Sequence, residues 1–433
     1  MFNLKKGGII VRKRSYLIFN FLIVIGFCLI ISGVVFSQDK PTIKVVMMTG
    51  PDQEGWSQVA KIYTQETGYP VIVEGQGRGE YHASLPTQLF SRSKAFDIVW
   101  ILDTWIPEFA EAGVLMPLDE YTRDPDYEAN DLLPVGVYKG IRYAVPVDYS
   151  HFYIYYRNDL IQQVPQTWDE LYETAKKLSR DINPDSPTKY GITGDYITGE
   201  VLPQTWFNIL WSVGGDIIDE NGNVVVNNEK AIMAAKIWEK WAKEGILPPN
   251  ITQLGWNDHV DQFVNGDAAI IVPGWNAGYY DIPRHSGPFA ETWTAALLPG
   301  FKQEDGNINR TIYVQSWSFA VNAASEYKEE AAKFLQWATS KKGMTLFAET
   351  GLGMPSRQSV LKDTTLQEKR PDFRLALESF KYVRYAPQVT FFSSIFSALD
   401  VALMDILNGK ATVEDALNNA AKKIADAQAK AKK

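Results

Sequence analysis

Residues 42–113 alternate strand and helix patterns three times, which limits the fold of this chain more than any other feature. Residues 42–48 (TIKVVMM) read as an apolar strand. Residues 54–66 follow as a helix, with Trp56, Val59, Ile62 and Tyr63 on one side and Gly68 as its stop. Residues 69–73 (YPVIV) give a second strand and 80–93 a second helix despite Pro86. Residues 96–102 (FDIVWIL) give a third strand, and 104–112 a third helix ended by Gly113. Strands separated by helices predict a parallel sheet with right-handed crossovers. Such sheets bind ligands beyond the carboxyl ends of their strands. Here those ends carry Asp52, then Arg78 and Glu80, then Asp103 and Trp105.

The amino terminus determines where this α/β chain folds. Lys5, Lys6, Arg12, Lys13 and Arg14 precede an apolar run over 16–31, and Val35 and Ser37 follow at cleavage-like spacing. The pattern is that of a secretory signal over 1–37, with a mature terminus near Gln38. The run also approaches the length of a membrane span, so an uncleaved anchor is the alternative. Export puts the protein, periplasmic or at the cell surface, where ATP, NAD and thiol buffers are scarce, which disfavours most enzyme readings. The single cysteine, Cys28, lies inside the run. Bulky Phe27 before it disfavours lipid attachment. The exported part therefore has no disulfide and is held by its core alone. At about 400 residues it exceeds one ordinary core, and two lobes are expected.

The chain carries a net charge of −8, and without its five leading cations the remainder is more acidic still. That argues against nucleic acid or an anionic membrane as partner. Thirteen tryptophans all fall after the leader, more than a core of this size needs. Indole offers a flat apolar face and one N–H donor, which suits the C–H face of a sugar ring as well as a core.

Beyond residue 150 the pattern is more helical. Thr167 and Glu170 form a capping box at a helix start. Asn221-Gly222 marks a small hairpin. Asp219, Asn221 and Asn223 suggest a calcium loop, but Val224 occupies the position that needs glycine. Residues 229–244, 325–341 and 412–431 read as amphipathic helices, the first with Trp238 and Trp241 facing the core. The four histidines are scattered without zinc spacing, and no GxSxG, P-loop or GxGxxG occurs. No metal or cofactor is expected. Tyr279-Tyr280, after Trp275, could ligate ferric iron but stands in an aromatic segment better suited to sugar.

Several segments, taken in order, carry a resemblance. They are the Pro-x-Thr-Trp-Asp-Glu-Leu start at 165–171, Gly214-Gly215-Asp216 before the hairpin, and 263–270 (FVNGDAAI) running into Pro273-Gly274-Trp275. Residues 319–324 (FAVNAA), Gly353-Met354-Pro355-Ser356-Arg357 and the terminal segment 409–424 complete the set. Together they resemble the family 1 extracellular solute-binding proteins of ABC importers, the maltose-binding-protein-like group. The resemblance spans nearly all of the exported part. It implies a two-lobe periplasmic-binding-protein-like II fold, each lobe a mostly parallel sheet flanked by helices, with a hinge of crossing segments. Implied boundaries are 38–147 and 317–357 for lobe one, and 148–316 and 358–433 for lobe two. The crossings are expected near residues 146–150, 313–317 and 353–359.

By the same resemblance the ligand sits between the lobes, and the closed form meets a membrane permease. The implied contacts are Arg78 and Glu80 in a cleft-facing loop, Asp103 and Trp105 after the third strand, and Asp148 and Tyr149 at the first crossing. Trp275 matches the family's stacking position, Trp256 and Trp317 match loop and hinge regions, and Gln204, Trp206 and Phe207 are further candidates. Asp103 equally suits a helix N-cap, Asp148 a hinge clamp and Arg78 a solvated charge. The chain lacks the acidic-aromatic run of maltose binders near Gln204, so the sugar is left open. The expected function is a monomeric, non-catalytic carbohydrate receptor. A secreted glycoside hydrolase is the alternative, and so is a receptor for ferric iron, a polyamine or a glycerol phosphate ester.

Overall fold

The computed structural model describes residues 40–199 and 201–432. The signal expected over 1–37, with Cys28, lies outside the described residues. The chain divides into two units, Met1–Pro41 and Thr42–Lys433, and the second holds all that follows. No helix among the described residues is long and apolar enough to cross a membrane.

Two sheets organise this unit, each with its own apolar core. In lobe one the strands run in the order Val71–Gln76, Ile43–Met48, Ile98–Leu102, Trp317–Val321, Val145–Pro146. The first three pair in parallel, as the alternation predicts. Their connections are the helices Pro51–Thr67 and Arg78–Phe90. Gly68 closes the first helix at φ 71°, a left-handed conformation that glycine adopts without a Cβ clash. The third expected helix is a 3₁₀ turn, Asp103–Trp105, followed by the short helix Ile106–Glu111.

In lobe two the order is Val383–Tyr385, Ile312–Gln315, Ser150–Tyr156, Ala268–Trp275, Tyr190–Thr193. Thr294–Leu297 also pairs with Ser150–Tyr156. The two-lobe α/β architecture is as expected, but both sheets are mixed rather than mostly parallel: in lobe one Trp317–Val321 is antiparallel to both of its neighbours. The central strand Ser150–Tyr156 is antiparallel to all three of its neighbours. It enters lobe two from the crossing, and Ile312–Gln315 leaves by the adjacent one, so the two must run in opposite directions.

The first crossing links Val145–Pro146 to Ser150–Tyr156, and the second joins Ile312–Gln315 to Trp317–Val321 through Ser316 alone. The third lies further along than expected. Val360, Leu361, Leu366, Phe373 and Ala376 pack in the core of lobe one, whereas Ala386 and Phe392 pack in that of lobe two. The segment after Ser356 is thus retained by lobe one for another two dozen residues. Arg357 fixes it there, fully buried, donating to the carbonyls of Thr339 and Tyr127 at 2.7 Å each.

Asp103 sits where these crossings meet. It is fully buried: Oδ1 accepts the Ser316 N–H at 3.2 Å and Oδ2 the Gln388 side-chain amide at 3.3 Å. Burial pushes its carboxyl up to about 7 despite these donors.

Two predictions follow from this packing. Trp238, with no exposed surface in the lobe-two core, should cost about 3–5 kcal/mol of stability as Trp238→Ala. Denaturant melts measure this, and a change near zero would remove the ring from the core. Asp103, raised in the folded state, binds its proton more tightly than in the unfolded chain, so its contribution to stability falls as pH rises from about 4 to about 7. Asp103→Asn should abolish that loss, raising the melting temperature over wild type by a few degrees at pH 8 relative to pH 5. Parallel pH profiles for the two proteins would contradict the assignment.

Candidate functional site

Between the two sheets lies a chamber of about 240 Å³. Its floor is the pair of crossings. Side chains of an extended segment alternate, so Asp148 and Ser150 face the chamber while Tyr149 turns away. The same alternation sends Gln315 and Trp317 inward across Ser316.

Lobe one supplies Asp52 from the start of its first helix, and Arg78 and His82 one turn apart on the second. Trp317 stacks on Trp100 at 4.0 Å between ring centres. His82 meets the edges of Trp105 and Trp317 at 5.3 and 6.1 Å. Burial and the Arg78 charge push the His82 ring down to about 4, so it is a neutral donor and acceptor at neutral pH.

Lobe two supplies the facing wall. Trp275 ends the strand Ala268–Trp275, opposite Phe152 in register, and the two rings stack at 3.9 Å. Trp256 starts the helix Trp256–Val264 and donates its indole N–H to Asp281 at 2.9 Å. Asp195 accepts the Trp275 backbone N–H at 3.3 Å. Gln204 donates to Gln315 at 2.6 Å and joins this wall to the floor. Asn276 and Tyr280 complete it.

Asp52 and Asp148 are held against their charged form. Burial pushes Asp52 up to about 7, and the neighbouring Asp281 adds to the rise. Asp148, which accepts from the Ser150 hydroxyl, is raised well above the ordinary range by burial and by Asp52. The Tyr280 hydroxyl is raised by burial and by both carboxyls. The arrangement offers flat apolar faces on two sides with carboxyl, amide and guanidinium groups at their edges. It can hold a small molecule bearing many hydroxyls. Among the described residues no group of three or more acids, histidines or cysteines is placed to hold a metal ion.

Seven residues singled out in the sequence meet in this chamber: Asp52, Arg78, Asp148, Gln204, Trp256, Trp275 and Trp317. Trp105 lies beside it, in a neighbouring chamber. Five do not line either. Glu80 is exposed, because two residues along a helix from Arg78 turn the side chain to the far side. Asp103 ties the crossings together instead. Tyr149 is buried in the lobe-one core, stacked on Phe380 at 4.5 Å and bonded to Ser379 at 2.6 Å. Trp206 and Phe207 sit in the lobe-two core, because every residue of Leu202–Ser212 is buried and only its first turn reaches the cleft.

His82, Trp100, Asp195, Asn276 and Asp281 were missed. His82 was findable as the residue one turn after Arg78. Asn276 and Asp281 were findable from the segment around Tyr279-Tyr280. Asp195 carried no sequence signal.

The family model for "Bacterial extracellular solute-binding protein" matches residues 49–345. The erythritol/L-threitol-binding protein of Mycolicibacterium smegmatis is 24% identical over 406 residues, covering 85% of this chain and 82% of that protein. The galactooligosaccharide-binding protein of Bacillus subtilis is 27% identical over 305 residues, covering 67% of this chain and 66% of that protein. Among solved structures, a maltose-bound T. maritima MalE3 superposes with a TM-score of 0.79 at 25% identity, covering 89% of this chain and 99% of that one. With the family model spanning both lobes and both sides of the chamber, the chain belongs to the bacterial extracellular solute-binding proteins.

Proposed function

We propose that this protein is the extracytoplasmic receptor of an ABC importer, capturing a sugar or polyol between its lobes and delivering it to a membrane permease. The observation that carries the reading is the pairing of Trp275 and Trp317, one from each lobe, with Asp52 and Asp148 in the same chamber. Relatives named for erythritol, galactooligosaccharide and maltose support it. Each carboxylate accepts two hydroxyl donors, and bonds to a charged acceptor are the stronger kind. Covering about 60 Å² of an indole face contributes about 1.5 kcal/mol. A ligand that touches both lobes favours the closed form by its differential affinity.

In this reading the leader over 1–37 exports the chain, the mature protein is a monomer, and the chamber binds without catalysis. The matched relatives are binding proteins, which supports a receptor over a glycoside hydrolase. Incubation with oligosaccharides separates the two: binding without product is expected, and released sugar would favour the enzyme.

Trp275→Ala should weaken binding of the best ligand from a panel of alditols, hexoses and disaccharides by about tenfold. Calorimetric titration reads this, alongside melts that report any loss from the Phe152 stack. Normal binding with an early melt would show that Trp275 serves only the core. Small-angle scattering should give a smaller radius at saturating ligand, and an unchanged profile would count against closure.

A further inference from the structure

A second chamber of about 370 Å³ adjoins the first, and the two share Arg78, His82, Leu102 and Gln204 along their common boundary. The inner chamber, at about 240 Å³, is smaller than the roughly 300–1,000 Å³ of ordinary small-molecule sites, whereas the two together fall within that range.

The outer chamber has its own pair of aromatic rings, one from each lobe. Trp105 comes from lobe one, at the end of the 3₁₀ turn Asp103–Trp105. Phe396 comes from lobe two, on the helix Phe392–Leu407, which packs against that turn. Both rings are half-buried. Phe392, one turn before Phe396, is anchored in the lobe-two core and fixes the direction of that helix face. Beside these rings run Ser393 and Ser397, also one turn apart and both exposed. The outer chamber thus repeats the inner one in outline: an aromatic ring from each lobe with polar groups beside them, here serine hydroxyls in place of carboxyls and amides. Such walls fit a pyranose, whose faces present C–H groups and whose rim presents hydroxyls. The Ser397 hydroxyl donates to the Ser393 carbonyl at 2.9 Å, which leaves its lone pairs to accept from a ligand hydroxyl.

We infer that the two chambers form one elongated site and that its ligand is at least two sugar units long. One unit lies between Trp275 and Trp317, the next lies between Trp105 and Phe396, and His82 stands at the link between them. This rests on the sugar-receptor reading and adds ligand length to it. His82, neutral and shared by both chambers, can donate to one unit and accept from the other.

The test is calorimetric titration of the mature protein with erythritol, mannitol, glucose and galactose against maltose, lactose and galactobiose. The best two-unit sugar should bind at least tenfold more tightly than the best single unit. Ser397→Trp, placed at an exposed position where folding is spared, should fill the outer chamber and bring that ratio close to one. Phe396→Ala should lower it by severalfold. If a single unit binds as tightly as any disaccharide, and Ser397→Trp leaves the ratio unchanged, the length inference is overturned while the sugar-receptor reading stands. If none of the seven sugars binds, both fall.

Discussion

The cleft depends on a one-residue crossing. Ser316 alone separates a strand of the lobe-two sheet from a strand of the lobe-one sheet. Its N–H goes to the Asp103 carboxyl at 3.2 Å, its carbonyl accepts the Asp103 N–H at 2.9 Å, and its hydroxyl donates to the Asp148 carbonyl at 2.9 Å. A link this short cannot rotate its flanking residues independently. With Ser316 turned into the hinge, Gln315 and Trp317 must both face the chamber. The neighbouring crossing is locked to it by the Val147 N–H, which donates to the Trp317 carbonyl at 2.9 Å, and this sets Asp148 and Ser150 inward by the same two-residue period. Four chamber residues are thus placed by backbone geometry before any side chain chooses a rotamer.

The aromatic residues divide by the element that carries them. Trp56, Trp206, Trp238 and Trp241 lie mid-helix on apolar faces and are almost fully buried. Trp256 opens a helix, Trp275 ends a strand and Trp317 starts one, and these three reach the chamber. Ends of elements are where a side chain has a packed neighbour on one side and open space on the other. Trp275 shows the consequence: one face rests on Phe152 while the ring also lines the cavity. Trp275 and Trp317 are each held by a stacked neighbour, Phe152 and Trp100, and a ring ordered in advance lowers the cost of ordering it on association.

This division explains what the sequence could and could not reveal. The parallel strands of lobe one and the helix stop at Gly68 were legible because local pattern determines them, whereas the crossings came only from the family resemblance. Trp275 and Trp317 were singled out by the resemblance, and both stand at element ends. Trp206 and Phe207 were misplaced because a helix apolar on every side has no cleft-facing stripe to read, and its complete burial was the signal overlooked. Tyr149 and Glu80 were misplaced by neighbourhood: each stands one or two residues from a true lining residue, and in a strand or helix that distance reverses the direction of the side chain. The late third crossing was hidden because the buried Arg357, which holds the segment, looks like an ordinary surface cation in the sequence.

The chamber's charge follows from the same geometry. Asp52 stands in the first turn of Pro51–Thr67, where exposed N–H groups and the helix dipole favour a carboxylate. Burial nevertheless prevails and lifts it to about 7, with Asp148 raised beside it. Two neighbouring acids in a closed space resist being charged together. A ligand rich in hydroxyls changes that balance, because each donor it presents to a carboxylate stabilises the charged form that burial disfavours. In the proposed reading, a ligand that does so enters a chamber lined by Trp275 from one lobe and Trp317 from the other. In that reading, hydrogen bonding at Asp52 and Asp148 and ring stacking at Trp275 and Trp317 combine into one requirement on ligand shape: a flat-faced molecule with hydroxyls along its edge.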